Sequence, residues 1–506
     1  MAQTVWDVIQ AGSDTAPAIG APGRHWLEAG GLRRLATDVI AQLNSIGIGR
    51  GDRVAMVLPN GPEMASLFVA VASGATAAPL NPAYRSDEFT FYLEDLKPKA
   101  VIVLAGEATP VREVAAGLGI RVIDLHPQPD LPAGTFTLAI GEAGAPSENF
   151  GPSEPNDTAL VLHTSGTTAR PKIVPLTNRN LAASAGHIAA ALALTPDDVC
   201  LNVMPLFHIH GLIAGVLSSL SAGAAVCCSP GFNALRFLSL LEQVRPTWYT
   251  AVPTMHQAIL MRARQHADQA RAAKLRLIRS SSASLPPQVM AELEAVFDAP
   301  VIESYGMTEA AHQMASNPLP PRPRKPGCVG VAAGPEIAIM DDDGTILPQG
   351  AIGEVVIRGP NVTPGYEANP TANAKAFTNG WFRTGDQGML DAEGYLFLTG
   401  RLKEIIIRGG EKISPLEIDN VLLDHAAIAQ VVTFAMPHDK LGEEVAAAVV
   451  LREGCTATEQ EIRDFCAARV AAFKVPRRVL FMDDIPKGAT GKLTRIGLAQ
   501  KLGLAG

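Results

Sequence analysis

Seven short runs rich in β-branched residues punctuate the first three hundred residues: DRVAMVL (52–58), KAVIVLA (99–105), TALVLHT (158–164), DDVCLNV (197–203), PTWYTAV (246–252), LRLIRSS (275–281) and APVIESY (299–305). Longer Ala- and Leu-rich stretches of helical character separate them. Strands that are apolar on both faces and alternate with helices build mostly parallel sheets covered on both sides. Glycine or proline turn chemistry follows several of the runs. In such sheets ligands bind beyond the carboxyl ends of the strands, and the unusual residues of this chain lie there. The expected class is α/β.

The texture changes near residue 328. CVGVAAGPEIAIMD, GEVVIRGPNVTPGYE and GYLFLTG read as short strands with turns, a β-rich subdomain. The last hundred residues form a compact α+β pattern. IIIRGG is a strand with a glycine turn, and SPLEIDNVLLDH (414–425) is a helix with Ser414 and Glu417 spaced as a capping box. VVTFAMP and EVAAAVVLREG flank a turn, TEQEIRDFCAARV is a helix, and RRVLFMDD is a strand. At 506 residues the chain exceeds what one hydrophobic core supports. The expected division is a large N-terminal domain over 1–400, a connector at 401–404, and a small C-terminal domain over 405–506.

A formal net charge of −8 argues against a protein that binds nucleic acid through phosphate contacts. The six cysteines contain no CxxC pair, and no histidine is spaced with them for zinc, which predicts reduced, buried thiols. MAQTVWDVIQ shows no basic-then-apolar signal region. No Asp, Glu, Lys or Arg occurs between Asp198 and Arg236, yet Pro205, two histidines, four serines and several glycines interrupt that run. A membrane span needs about 20 continuous apolar residues, so a strand, a loop and a buried helix are expected here, and the cytoplasm is the expected compartment.

The densest polar signal is Thr164-Ser165-Gly166-Thr167-Thr168-Ala169-Arg170-Pro171-Lys172, directly after a strand. Such a loop can turn backbone N–H groups and hydroxyls toward phosphate oxygens, with the lysine supplying positive charge. The Walker pattern G-x-x-x-x-G-K-[ST] does not occur in it. Taken alone, the stretch also reads as a polar surface loop.

Five further motifs follow in order: Tyr305-Gly306-Met307-Thr308-Glu309, GWFRTGD (380–386), GRLKE (400–404), GGEKISP (409–415) and PKGATGK (486–492). With the first loop they resemble the adenylate-forming superfamily of acyl-CoA synthetases, coumarate–CoA ligases, luciferases and peptide-synthetase adenylation domains, and the resemblance runs essentially end to end. It implies stacked α/β sheets with a β-rich subdomain and a mobile C-terminal domain. It also implies ATP, Mg2+ and coenzyme A as cofactors, and a two-step reaction through an acyl-adenylate.

The resemblance assigns roles residue by residue. Thr164, Ser165, Gly166, Thr167, Thr168 and Lys172 match the phosphate loop; Ile173 stands where the family usually has glycine, which predicts a stiffer loop. Thr308 matches the α-phosphate contact and Glu309 the Mg2+ ligand. Ser282, Ala283 and Ser284, with Glu303, Ser304 and Tyr305, match the two strand ends that sandwich adenine. Asp386 matches the ribose acceptor, accompanied by Arg401. Lys403 matches the hinge, Lys492 the catalytic lysine of the small domain, and Gly409 and Gly410 the turn presented to pantetheine. Each role has a plainer alternative: Glu309 as a carboxylate at a helix start, Asp386 as a turn residue, Lys492 as a surface lysine.

His208 and His210 of MPLFHIHG are candidates to face the acid, His208 with a catalytic part, and either reads equally as a core histidine. Ser281 and His312 are further pocket candidates, the latter three residues after Glu309 and so on its face if helical. With Arg279, Ser280 and Ser316 they predict a polar pocket for an acid carrying a second charged or polar group. SSSASL, AAHQMASNPLP and MPLFHIHG are especially similar to oxalate–CoA ligases of plants and fungi. That similarity implies oxalate, ahead of malonate and of aryl or medium-chain acids. An enzyme loading a carrier protein and a non-catalytic nucleotide binder are the rival readings; monomer and homodimer stay equally open.

Overall fold

The structure is a computed structural model that describes residues 2–142, 144–164, 171–486 and 495–504. Ser165, Gly166, Thr167, Thr168 and Lys492 lie outside the described residues.

Two large sheets dominate. One has seven strands in the order 136–139, 121–127, 100–104, 53–57, 76–79, 158–164, 172–177. Its five central strands are parallel, and the two outer ones antiparallel. The other has nine strands in the order 331–332, 312–316, 301–307, 277–280, 248–251, 199–202, 225–228, 17–20, 27–28, with a parallel centre. All seven β-branched runs form strands of these two sheets. Their centres are buried on both faces, as the near-continuous apolar pattern requires.

Residues 336–401 form a third, wholly antiparallel sheet in which 353–358 lies between 336–340 and 381–390, and 381–390 also pairs with 377–378 and 396–401. A fourth sheet carries strands 406–408, 411–413, 428–438, 442–451 and 478–481. Its apolar clusters draw only on residues from Ile406 onward, whereas the main cluster of the chain ends at Leu398. The interior therefore divides between the third and fourth sheets.

The charge-free run folds as strand Val199–Asn202, a turn, a π-helix His210–Leu217, helix Ser218–Ser221 and strand Ala225–Cys228. No helix among the described residues is long and apolar enough to cross a membrane. All six cysteines are unpaired, and all but Cys455 are buried.

One local expectation changes. Ser414 does cap helix Pro415–Leu423 by accepting from the N–H of Glu417, but the reciprocal half of the box is missing, because the Glu417 carboxylate pairs with Lys474 at 2.7 Å. The loop that Ile173 is expected to stiffen lies mostly outside the described residues, and only the place of Ile173 itself is described. Ile173 sits inside strand Lys172–Thr177 opposite His163, in the buried cluster that also holds Val161, Phe89 and Leu93.

Candidate active site

The described ends of the hydroxyl-rich loop and the YGMTE, GWFRTGD and GRLKE motifs meet where strands 158–164, 277–280 and 301–307 end and where the third sheet leans against them. Thr164 and Lys172 are paired across strands 158–164 and 172–177, so they form the base of the hydroxyl-rich loop. The Lys172 ammonium lies 3.8 Å above the ring of Tyr366, and the Tyr366 hydroxyl donates to Glu309 Oε1 at 2.8 Å. Burial pulls the Lys172 pKa below the usual lysine value, Glu309 opposes the shift, and the nearby Lys403 ammonium adds to it. A buried carboxylate and a partly desolvated ammonium thus share one aromatic partner, and the hinge candidate faces the same ground.

Strand Val301–Met307 passes through a 3-10 turn, Thr308–Ala310, into antiparallel strand His312–Ser316. Gly306 permits the close return: a Cβ there would lie 1.7 Å from the carbonyl oxygen of His312. The turn ends with Ala311 and His312 both at positive φ, 47° and 99°. For non-glycine residues this conformation costs of order 1–3 kcal/mol each, and such strain gathers at functional sites. His312 is therefore a strand residue opposite Met307 and shares no helical face with Glu309. Its buried ring instead packs edge-on against His210, with centroids 4.9 Å apart.

His210 opens the π-helix; helices of this type gather at functional sites. Its Nδ1 lies 3.0 Å from Ser282 Oγ and its Nε2 2.6 Å from Thr250 Oγ1. Arg279, wholly buried, reaches both Thr250 Oγ1 and His210 Nε2 at 3.4 Å and Gln313 Oε1 at 3.2 Å. No carboxylate pairs with it among the described residues, and burial lowers its pKa to about 9. His208 is half-buried in the turn just before this helix.

Asp386 is buried, with Oδ2 accepting from the Tyr305 hydroxyl and Oδ1 3.1 Å from Arg401 Nε. Asp386 and Arg401 are cross-strand partners. The carboxylate holds Arg401 above the usual arginine value. A carboxylate has about four acceptor sites, and two are used here. The remainder suits a vicinal diol.

Other candidates play supporting parts. Ser281 donates to the carbonyl of Ser304 at 3.0 Å and Ser304 to that of Ser280 at 3.2 Å, so these buried hydroxyls stitch two strands together instead of facing a ligand. Glu303 is buried and accepts from the Leu285 N–H at 2.8 Å, bracing the loop of Ser282, Ala283 and Ser284 from behind; burial raises its pKa to about 8. Ser282 and Ser284 are half-buried, Ala283 is exposed, and Tyr305 completes the opposite strand end. Gly409 and Gly410 take φ of 58° and 94° in the turn between strands 406–408 and 411–413. Tyr366, Thr250 and Gln313 escaped the sequence reading. The available signals were an aromatic residue in a Pro-Gly turn, a single threonine in the strand WYTA, and a glutamine in the polar run HQMAS.

The described residues contain no cluster of three or more His, Cys, Asp or Glu able to cage a metal ion. One buried carboxylate, Glu309, beside an ammonium is a donor set for an ion that takes most of its ligands from phosphates and water, as Mg2+ does.

Residues 10–367 match the AMP-binding enzyme family, and residues 417–492 its C-terminal domain. The oxalate–CoA ligase of Arabidopsis thaliana is 48% identical over 491 residues, covering 96% of this chain and 95% of that protein. The oxalate–CoA ligase of Saccharomyces cerevisiae is 42% identical over 480 residues, covering 89% and 87%. The ATP-bound structure of MatB from Rhodopseudomonas palustris is 31% identical, with a TM-score of 0.89 over 99% of both chains; the apo structure of the same protein gives 0.80. The overall arrangement is thus nearer to the ATP-bound form. With its motifs in order and both parts of the chain matched, this protein belongs to the AMP-binding enzyme family, as an AMP-forming acid–CoA ligase.

Proposed function

We propose that the acid is oxalate and the product oxalyl-CoA. The observation that carries this reading is the buried guanidinium of Arg279, without a carboxylate partner among the described residues, beside His210, with Ser282 and His312 against that imidazole. A buried cation is costly unless an anion or a full set of acceptors compensates it. A pocket backed by this charge, with His210 and Ser282 between it and the acid, favours an acid bringing a second carboxylate and disfavours an alkyl or aryl tail, which would strand the polar groups. The identity to two oxalate–CoA ligases supports the same choice.

In the first step a carboxylate oxygen of oxalate attacks the α-phosphorus of ATP, forming the mixed anhydride and releasing pyrophosphate. Two anions meet, so the task of the protein is neutralisation and alignment. Lys172 and the loop that it closes hold the outer phosphates, Thr308 the α-phosphate, and Asp386 with Arg401 the ribose. Glu309 would hold Mg2+, which supplies charge neutralisation on the phosphates when bound. Lys492 brings an ammonium to the attacking carboxylate. In the second step the CoA sulfur attacks the acyl carbon, the thiol proton goes to solvent, and AMP leaves. Rotation about Lys403 withdraws Lys492 and brings up the Gly409-Gly410 turn for pantetheine. The domain limits 1–400 and 405–506, with 401–404 between them, belong to this proposal and are supported by the division of the apolar clusters near residue 401. A cytoplasmic setting is also part of it, supported by six unpaired cysteines.

The test is a pyrophosphate-release screen over oxalate, malonate, coumarate, benzoate and octanoate, with CoA thioesters identified by mass. Oxalate is expected to give the highest kcat/KM, with oxalyl-CoA as product. Preference for coumarate, benzoate or octanoate would remove the charged-pocket reading, and preference for malonate would keep the pocket but change the acid.

A further inference from the structure

The contacts of His210 with Arg279, Thr250 and Ser282 favour one direction of hydrogen bonding. Arginine has donors and no acceptor, so Arg279 donates wherever it binds. Its NH1 is 3.4 Å from Thr250 Oγ1 and from His210 Nε2. Thr250 Oγ1 therefore accepts from the guanidinium, and its single proton is left for His210 Nε2 at 2.6 Å. A proton on Nε2 would face the guanidinium N–H in a buried, low-dielectric setting, where opposed donors are most costly. Nε2 is left bare, and the imidazole carries its proton on Nδ1. That proton goes to Ser282 Oγ at 3.0 Å. Ser282 thus spends a lone pair on His210 and keeps its own proton for another acceptor.

Three further features fix this geometry. The ring of His312 lies edge-on against His210 at 4.9 Å. Ser282 has φ of 74°, a left-handed conformation uncommon for serine. Gln313 Oε1 accepts from the second guanidinium nitrogen at 3.2 Å, so Arg279 is anchored on both sides. Arg279 is wholly buried, and its guanidinium donates to Thr250, His210 and Gln313. It is thus placed to act through His210.

We propose that Arg279 is a positioning residue: through Thr250 it fixes His210 as the Nδ1–H tautomer and so leaves the Ser282 hydroxyl as a donor to the bound acid. The last step of this relay rests on the reading of the site as a diacid pocket. The tautomer itself does not depend on that reading.

The test uses the full-length protein labelled with 15N-histidine. His210 is assigned by difference from the His210→Gln spectrum, and its tautomer is read from long-range 1H–15N correlations without any acid present. The Nδ1–H pattern is expected. Thr250→Val keeps the buried volume and removes only the relay. It is expected to move His210 toward the Nε2–H form and to raise the KM for oxalate about tenfold, the scale of one hydrogen bond to a charged group, with the KM for ATP unchanged. Arg279→Met is expected to act in the same direction, and Thr250→Val keeps the test readable if that variant does not fold. An Nε2–H or doubly protonated His210 in the wild type would overturn the proposal. So would a Thr250→Val protein with the wild-type tautomer and wild-type KM for oxalate, which is the result expected if Arg279 met the acid directly. If the wild type fails to activate oxalate, the substrate reading falls, and the tautomer in wild type and Thr250→Val still decides the relay.

Discussion

Tyr305 donates its phenolic hydrogen to Oδ2 of Asp386, a residue 81 positions further along the chain. The bond joins the end of a strand in the nine-stranded sheet to the third sheet, and Arg401 holds the other carboxylate oxygen from the neighbouring strand. Burial and the Asp386 charge raise the Tyr305 pKa well above its ordinary value, so the phenol stays the donor. Tyr305→Phe should raise the KM for ATP about tenfold, because one hydrogen bond to a charged group is lost. Asp386→Asn should raise it about a hundredfold, because the Arg401 pair is lost as well. ATP–pyrophosphate exchange measures both. A KM for ATP within twofold of wild type in Asp386→Asn would remove Asp386 from the nucleotide site.

Lys172 supplies a pH test. Burial favours its neutral form, so in the free enzyme the ammonium is lost at lower pH than for a lysine in water, about 10.4. Phosphate binding needs the charged form. The kcat/KM for ATP should therefore fall as pH rises, along a limb below that value. Lys172→Arg should shift the limb upward, since a guanidinium keeps its proton. A limb that stays in place would assign it to another group.

The carboxyl of Glu303 titrates the other way from a surface acid. Its folded pKa of about 8 lies above the ordinary value of 4.5, because burial penalises the charge. The folded state holds this proton between those two values and the unfolded chain does not. The contribution of Glu303 to stability is therefore fully present below about pH 4.5 and is lost as pH rises toward 8. The slope in that window reaches about 1.4 kcal/mol per pH unit. Glu303→Gln keeps an acceptor for the Leu285 N–H and should flatten the slope, which urea unfolding at a series of pH values reads. An unchanged slope would show that Glu303 is ionised in the native protein.

Replacing Ile173 with the glycine usual in the family tests whether this position belongs to the loop or to the core. The side chain is packed beneath strand Lys172–Thr177. Ile173→Gly should lower stability by about 4 kcal/mol, from the cavity and from backbone freedom in a strand. The KM for ATP should stay close to wild type. A large rise in that KM with unchanged stability would put the side chain at the phosphates after all.

Arg495 holds the end of the chain to the small module. It pairs with Asp419 at 2.7 Å and with Glu404, the neighbour of the hinge candidate, at 3.2 Å. Asp419 is buried, and burial pushes its pKa up while Arg495 opposes the shift. Arg495→Met leaves that carboxylate without its cation and should cost about 3 kcal/mol in urea unfolding at neutral pH. Asp419→Asn in the same protein should recover part of the loss. A loss below 1 kcal/mol at neutral pH would mean that the pair carries little of the stability of the module.

The seven buried strands, the change to a β-rich texture near residue 328 and the separate C-terminal pattern were all legible in the chain, because each depends on local periodicity and turn chemistry. The motif order was legible too, since a motif is contiguous. The sequence alone could not tell which neighbours of a motif face the cleft. Ser281 and Ser282 are adjacent and equally polar; strand direction turns the first into the sheet and leaves the second beside His210. His312 follows Glu309 at helical spacing, yet the return of the chain over Gly306 makes it a strand residue. The partners Thr250–His210, Tyr366–Glu309 and Tyr305–Asp386 lie 40, 57 and 81 residues apart. Such pairs arise only when sheets pack, so residue types and local order set the chemistry available, and long-range packing decided which groups share it.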